Sequence, residues 1–168
     1  MEDRLLDTMT ISLAVDATGN FFAGTLPPFS RPRANGRGAE GFAGAGGLYK
    51  STDGGDTWDT CAFPAAQVTS LSVAGNDMYA SVRVSEIHRS TDHGRVWLQL
   101  GADIQGTTAF AVLGRDSLAF GSYDGVWLSP DGGATFRQMN LGLASSRVKA
   151  LAIVPGKGLL AATKGLYF

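Results

Sequence analysis

The chain has 168 residues, a formal net charge of −1 and a pI near 6.1, so it carries no cationic excess to steer it towards nucleic acid or an anionic membrane. Charged residues reach 17 %, below the ~25 % of ordinary soluble domains, and the 23 Gly are roughly twice the usual share. With 44 % hydrophobic residues to fill a core, this composition favours a turn-rich all-β fold over a helical one. One cysteine, Cys61, excludes an internal disulfide and reads as a small buried apolar side chain. His88 and His93 are too few for a His-rich zinc site.

Residues 1–10, MEDRLLDTMT, lack the basic start and apolar run of a signal peptide, and no apolar stretch reaches the ~18 residues of a membrane span. From there short apolar runs alternate with turn residues. ISLAVDATGNFFAGT (11–25) reads as two strands around a Gly-containing turn. A Gly, Pro and Arg loop follows, LPPFSRPRANGRGAEGFAG (26–44), carrying Arg31, Arg33, Arg37 and Glu40. Then come a third apolar piece, GGLYK (46–50), and the box STDGGDTW (51–58).

The same order recurs. VTSLSVAGNDMYASV (68–82) leads to SEIHR (85–89) and STDHGRVW (90–97). TTAFAVLGRDSLAFG (107–121) leads to DGVWL (124–128) and SPDGGATF (129–136), and VKALAIVPGKGLLAAT (148–163) leads to GLYF (165–168). The boxes begin 39 residues apart, and each keeps Ser, Asp, Gly and an aromatic in place: Ser51, Asp53, Gly55 and Trp58; Ser90, Asp92, Gly94 and Trp97; Ser129, Asp131, Gly133 and Phe136. Two strands around the turn, one before the box and one after it make a four-stranded unit. Such a unit every ~40 residues predicts a β-propeller of antiparallel blades. The blades are expected at about 10–60, 68–100, 107–139 and, incomplete, 148–168, with the insertion at 26–44.

S-x-D-x-G-x-x-W once per blade resembles the Asp-box of the BNR repeat, in the sialidase-like propeller superfamily. The resemblance covers the chain from about Thr10 onwards. It implies that the box is a structural hairpin on the face opposite the ligand face. Asp and Ser side chains can bond the loop's own backbone, and Gly at position five suits a positive φ. It says little about activity, because such boxes occur in sialidases, xyloglucan-degrading propellers, photosystem assembly factors and receptors. It also implies an extracellular or periplasmic setting.

Other motif readings fail on their own chemistry. GAGGLYKS (44–51) has Tyr49 where a phosphate-binding loop needs Gly, and it runs into a hairpin rather than a helix. GRGAEG (36–41) fits G-x-G-x-x-G but follows no strand and precedes no helical period. DGGDTWD (53–59) lacks the acidic order of an EF-hand loop. No metal and no cofactor is called for.

Function is expected on the opposite face. From Leu13 to Ser51 is 38 residues, against 19 from Leu71 to Ser90 and from Phe110 to Ser129, so blade one carries 19 extra residues between its second and third strands. Equivalent short loops hold Arg83 and Glu86 in blade two and Tyr123 and Asp124 in blade three, with Arg147 nearby between blades three and four. Arg31, Arg33, Arg37, Glu40, Arg83, Glu86, Tyr123 and Asp124 form the candidate ligand face, suited to an anionic group, a carbohydrate or a protein partner.

Glycoside hydrolysis needs a pair of carboxylates, for which Glu40, Glu86 and Asp124 are the candidates. The Arg-Ile-Pro start of true sialidases is absent, so no catalytic residue carries over. The expectation is a non-catalytic binding scaffold, the alternatives being a glycoside-hydrolase propeller fragment or a photosystem-type assembly factor. Three complete blades and a split fourth leave three arrangements open: a piece of a longer protein, a four-blade ring closed by residues 1–9, or two chains joined through open blade edges.

Overall fold

The computed structural model describes residues 9–27, 46–63, 67–82, 86–100, 104, 106–114, 116–140, 142–143, 145–163 and 166–167. These form four antiparallel sheets. The first holds β1 (Met9–Val15), β2 (Phe21–Leu26), β3 (Gly47–Ser51) and β4 (Asp59–Thr60) in chain order. The second repeats it with β5 (Val68–Ala74), β6 (Asp77–Val82), β7 (Ile87–Ser90) and β8 (Leu98–Leu100). The third holds β9 (Ala109–Val112), β10 (Leu118–Gly121), β11 (Val126–Ser129) and β12 (Arg137–Gln138). The fourth has three strands, β13 (Ala150–Val154), β14 (Gly158–Ala162) and β15 (Leu166–Tyr167). The fold is all-β, built of propeller blades, three complete and one partial. Of residues 1–9, expected in one arrangement to close a four-blade ring, all but Met9 lie outside the described residues, as does nearly all of the 26–44 insertion.

Register decides which way each side chain faces, because directly paired residues share a face and neighbours along a strand alternate. Leu13 pairs with Ala23 and Ala23 with Tyr49, so these three point one way; Phe22 and Lys50 point the other. The same rows recur as Leu71, Ala80 and His88 in blade two and Phe110, Phe120 and Trp127 in blade three. Each blade therefore has a backward face, carrying these rows, and a forward face. Phe22 and Leu48 on the forward face of blade one pack with Leu71, Met78 and Ala80 on the backward face of blade two. Tyr79 and Ile87 of blade two pack with Leu118 and Phe120 of blade three, and Val126 of blade three with Val148 and Ala161 of blade four. The apolar core is thus three separate layers, one per blade junction.

Two of the junctions close on a glycine. A Cβ on Gly24 would lie 2.7 Å from Val68 Cγ1, and one on Gly121 would lie 2.5 Å from Val148 Cγ1. The missing side chain is what lets the next blade's first valine seat. Polar ties reinforce the layers: the Leu71 amide donates to Ser12 Oγ at 2.8 Å, Thr108 Oγ1 to the Val148 carbonyl at 2.8 Å, and the Val148 amide to the Ser122 carbonyl at 2.9 Å.

The three boxes are the hairpins between third and fourth strands, and one hydrogen-bond pattern serves all of them. The serine hydroxyl donates to the aspartate two residues on, at 2.7 Å in the first and 2.8 Å in the second and third. The same oxygen accepts the amide of the position-five glycine at 2.9, 2.9 and 2.8 Å. The carboxylate then accepts the amide of position seven, Thr57, Val96 or Thr135, at 2.9 Å in each. Position five has φ of 102°, 79° and 99°, so glycine is needed there. Position four is also left-handed: Gly54, Gly132 and, unlike them, His93 at φ 58°. His93 instead reaches the preceding blade, with Nδ1 3.5 Å from Asp16 Oδ2. The Trp58 and Trp97 indoles donate to the position-five carbonyls at 3.0 Å, a bond for which Phe136 has no donor. Trp97 and Phe136 pack into the first and second junction layers. Cys61 packs on the first layer, and burial pushes its thiol up to about 11, so it is protonated at neutral pH.

The box carboxyls are held below the ordinary aspartate range. At Asp53 and Asp131 the threonine hydroxyl of position seven is the leading cause, then its amide and the serine; Asp131 falls to about 2. At Asp92 the Val96 amide leads, then Ser90. A depressed folded-state value means that the ionised loop adds stability above ~pH 4, lost as pH falls through the folded value. The thermal midpoint is expected to be level down to ~pH 5 and to drop between ~pH 4 and ~pH 2, less steeply in Asp131→Asn. Circular dichroism melts across pH check this, and a midpoint flat to ~pH 2 would remove the carboxylates as fasteners. Replacing the buried Ser90 by Ala strips the Gly94 amide of its acceptor, and is expected to cost about 1–3 kcal/mol in urea titration.

Candidate functional site

The loops opposite the boxes join second to third strands and one blade to the next. Among the described residues, the β10–β11 loop is the best-built of them. Its sequence, Ser122, Tyr123, Asp124, Gly125, copies the logic of a box in shorter form. Ser122 Oγ donates to Asp124 Oδ1, the Asp124 amide returns to Ser122 Oγ at 3.3 Å, and Trp127 Nε1 donates to Asp124 Oδ1 at 3.0 Å. Asn140, just after β12, locks the loop from outside. Its Oδ1 accepts the Val126 amide at 3.0 Å and its Nδ2 donates to the Asp124 carbonyl at 2.7 Å, which Gln138 Nε2 also reaches at 2.7 Å. Gly125 has φ 138°, and any Cβ there would collide with the Asn140 amide.

Tyr123 stands out from this loop, 54 % exposed, with its ring over Gly106 of the preceding connection. The Arg147 guanidinium lies over the Tyr123 ring, 4.6 Å from its centroid. Arg147 is held there because the next residue, Val148, is buried against Gly121 and bonded to Ser122. A cation over an aromatic face is a preorganised pair, and both partners remain open to solvent. Glu86 lies just before β7, where its Oε2 is 3.2 Å from Nε2 of the buried His88. The His88 ring meets Phe63 edge-on at 5.1 Å.

The structure thus joins Tyr123 and Arg147 into one unit and assigns Asp124 to the loop's own framework. Burial pushes the Asp124 carboxyl up, but the bonds from Ser122 and Trp127 and its own amide outweigh it and hold it low. A general acid needs the opposite shift. Arg31, Arg33, Arg37, Glu40 and Arg83 lie outside the described residues. Sequence reasoning missed Asn140, whose signal was slight: a lone Asn after a strand, 15 residues beyond the glycine it caps. Among the described residues, no three His, Cys, Asp or Glu side chains converge as metal ligands. Asn140→Ala leaves the Val126 amide without its side-chain acceptor and is expected to cost about 1–3 kcal/mol in denaturant titration. It should also loosen Tyr123, read as a weaker near-ultraviolet dichroism signal, and an unchanged stability would remove Asn140 as the lock.

No family model matches the chain, and no curated protein matches it. Solved structures do. YCF48 from Cyanidioschyzon merolae overlays with a TM-score of 0.64 at 13 % identity, over 96 % of this chain and 56 % of that one. YCF48 bound to D1 peptide overlays with a TM-score of 0.65 at 17 % identity, over 94 % and 47 %. An ancestral GH74 enzyme overlays with a TM-score of 0.65 at 17 % identity, over 90 % and 21 %. The chain spans about half the length of the two YCF48 structures. At these identities the likeness is one of fold, and the fold it shows is the β-propeller.

Proposed function

We propose that the chain is an Asp-box propeller module of the BNR type that works as a non-catalytic binding scaffold and takes a protein segment on the face opposite its boxes. The observation that carries this reading is the Tyr123–Arg147 pair. It is exposed and held in place by Asn140, Gly106 and Val148, at the end of the blades where no box occupies the loops. Arg and Tyr are the side chains most used as anchors in protein recognition, because a planar cation and a rigid ring offer large contact at small entropic cost. The sequence adds Arg31, Arg33, Arg37 and Arg83 in the neighbouring loops, which favours a segment bearing carboxylates. That a propeller of this fold has been solved with a bound peptide supports a peptide as the ligand class.

A glycosidase reading, kept alive by the GH74 neighbour, has weaker support, since Asp124 is engaged by its own loop and Glu86 by His88. Panning the chain against a displayed random-peptide library is expected to enrich acidic sequences. Synthetic versions should bind at least ~10-fold more weakly to Tyr123→Ala and Arg147→Ala, the loss expected of an anchor worth ~1.4 kcal/mol or more. Retention on a glycan array without peptide enrichment would overturn the ligand class. Turnover of a fluorogenic glycoside that Glu86→Gln or Asp124→Asn abolishes would overturn the scaffold.

A further inference from the structure

The first two blade junctions differ in charge at their box end. In the second, Arg89 on β7 is neutralised by Asp77 of its own inner turn, Nη2 donating to Oδ2 at 2.6 Å, and its Nη1 reaches the Gly132 carbonyl of the third box at 3.4 Å. Register places Lys50 and Asn20 at the same two positions of the first junction. Phe22 pairs with Lys50 as Tyr79 does with Arg89, and Phe21 with Ser51 as Met78 does with Ser90. The acid of the second junction is therefore a neutral amide in the first. Across the gap, the second box carries His93 and Arg95 at positions four and six, where the third carries Gly132 and Ala134. Lys50, His93 and Arg95 line one cleft of about 290 Å³, together with Thr18, Asn20 and Asp92.

Among the described residues, neither Lys50 nor Arg95 has an ion-pair partner; Asp59 lies opposite Lys50 in register without joining it. The nearby Asp16 carboxylate is taken up by four bonds from Thr18 and Asn20. The Lys50 ammonium stands 5.4 Å over the Phe22 ring, and the His93 ring is steadied by its approach to Asp16. Asp92 also departs from its counterparts. In the first and third boxes the carboxylate Oδ2 accepts the hydroxyl of Thr57 or Thr135 at 2.5 Å. Position seven of the second box is Val96, which has no hydroxyl to offer. The bonds to Asp92 from Ser90, Arg95 and Val96 all end on Oδ1, and Oδ2 has no donor among the described residues. The Val96 amide, then Ser90, hold this carboxyl low, so Oδ2 is an acceptor at neutral pH.

We propose that this cleft binds inorganic phosphate as the hydrogen phosphate ion. Lys50 and Arg95 donate to its bare oxygens, His93 forms part of the wall, and Asp92 Oδ2 accepts its P–O–H. Two cations approaching from different blades suit a tetrahedral oxyanion better than a planar carboxylate, and charge-assisted bonds of this kind are the strong ones. The proton sets the selectivity. Sulfate matches phosphate in shape but carries no proton near neutral pH, so it would set a bare oxygen against Asp92. A phosphomonoester dianion would do the same.

Calorimetric titration of the full chain with sodium phosphate, near neutral pH and at low ionic strength, tests this, with sulfate and O-phosphoserine as rivals. One phosphate per chain is expected, bound at least ~10-fold more tightly than either rival. Arg95→Gln and Lys50→Met should each weaken phosphate at least ~10-fold. Arg137→Gln removes the same charge from an exposed position on β12 and should leave binding unchanged. Val96→Thr gives Asp92 the hydroxyl that the other two boxes supply. It should raise the thermal midpoint and yet bring phosphate down to the level of sulfate, a pair of effects that damage to the fold would not produce. Absence of phosphate binding by the unaltered chain overturns the proposal. So do equal binding of sulfate or O-phosphoserine, a loss in Arg137→Gln that equals that in Arg95→Gln, and a phosphate preference that survives Val96→Thr. The cleft lies at the box end of the blades and shares no residue with the Tyr123–Arg147 face, so failure here leaves the proposed function standing, and the reverse.

Discussion

A blade of this protein is a sheet with two apolar faces, and neither face can be taken from water by the blade itself. Each depends on the next blade. Phe22 is buried because blade two covers it, Tyr79 because blade three does, and Val126 because blade four does. Stability in such an array is close to a sum over junctions. The glycine–valine contacts at Gly24 and Gly121 set how near successive sheets approach, and so the spacing of everything built on them.

The boxes solve a second problem created by the first. With the sheets packed face to face, the chain must turn tightly at the rim without leaving amides unpaired. One serine oxygen and one carboxylate satisfy the loop from inside, and the loop then presents a glycine to the neighbouring blade. His93 shows the tolerance of the device: a left-handed non-glycine residue is accepted where its ring can reach Asp16 across the junction. The Asp16 turn is itself knotted by bonds from Thr18 and Asn20, which outweigh burial and keep that carboxyl low. Both partners of this contact are therefore placed by their own blades before they meet.

At the other end of the blades, among the described residues, the same chemistry recurs in the Ser122–Asp124 loop, with a different result. There the fastened loop lifts Tyr123 into solvent under Arg147. Rigid loops on a rigid scaffold are where proteins place recognition, because little ordering entropy remains to be lost on binding.

The blade order, the positions of the three boxes and their serine, aspartate and glycine pattern were legible in the sequence, because each is local. A hairpin needs its donors, acceptors and left-handed residue within eight positions, and the 39-residue period repeats them. The division between second-to-third-strand loops and boxes followed from the same count. What the sequence could not divide was the ligand face. Tyr123, Asp124 and Glu86 looked alike there, as polar side chains in short loops. Only tertiary packing made Asp124 a framework residue, bound Glu86 to His88, and brought Arg147 over Tyr123 from 24 residues away. It did so because strand register and the seating of Val148 on Gly121 act between blades, and distance along the chain carries no record of which residues a junction will bring together.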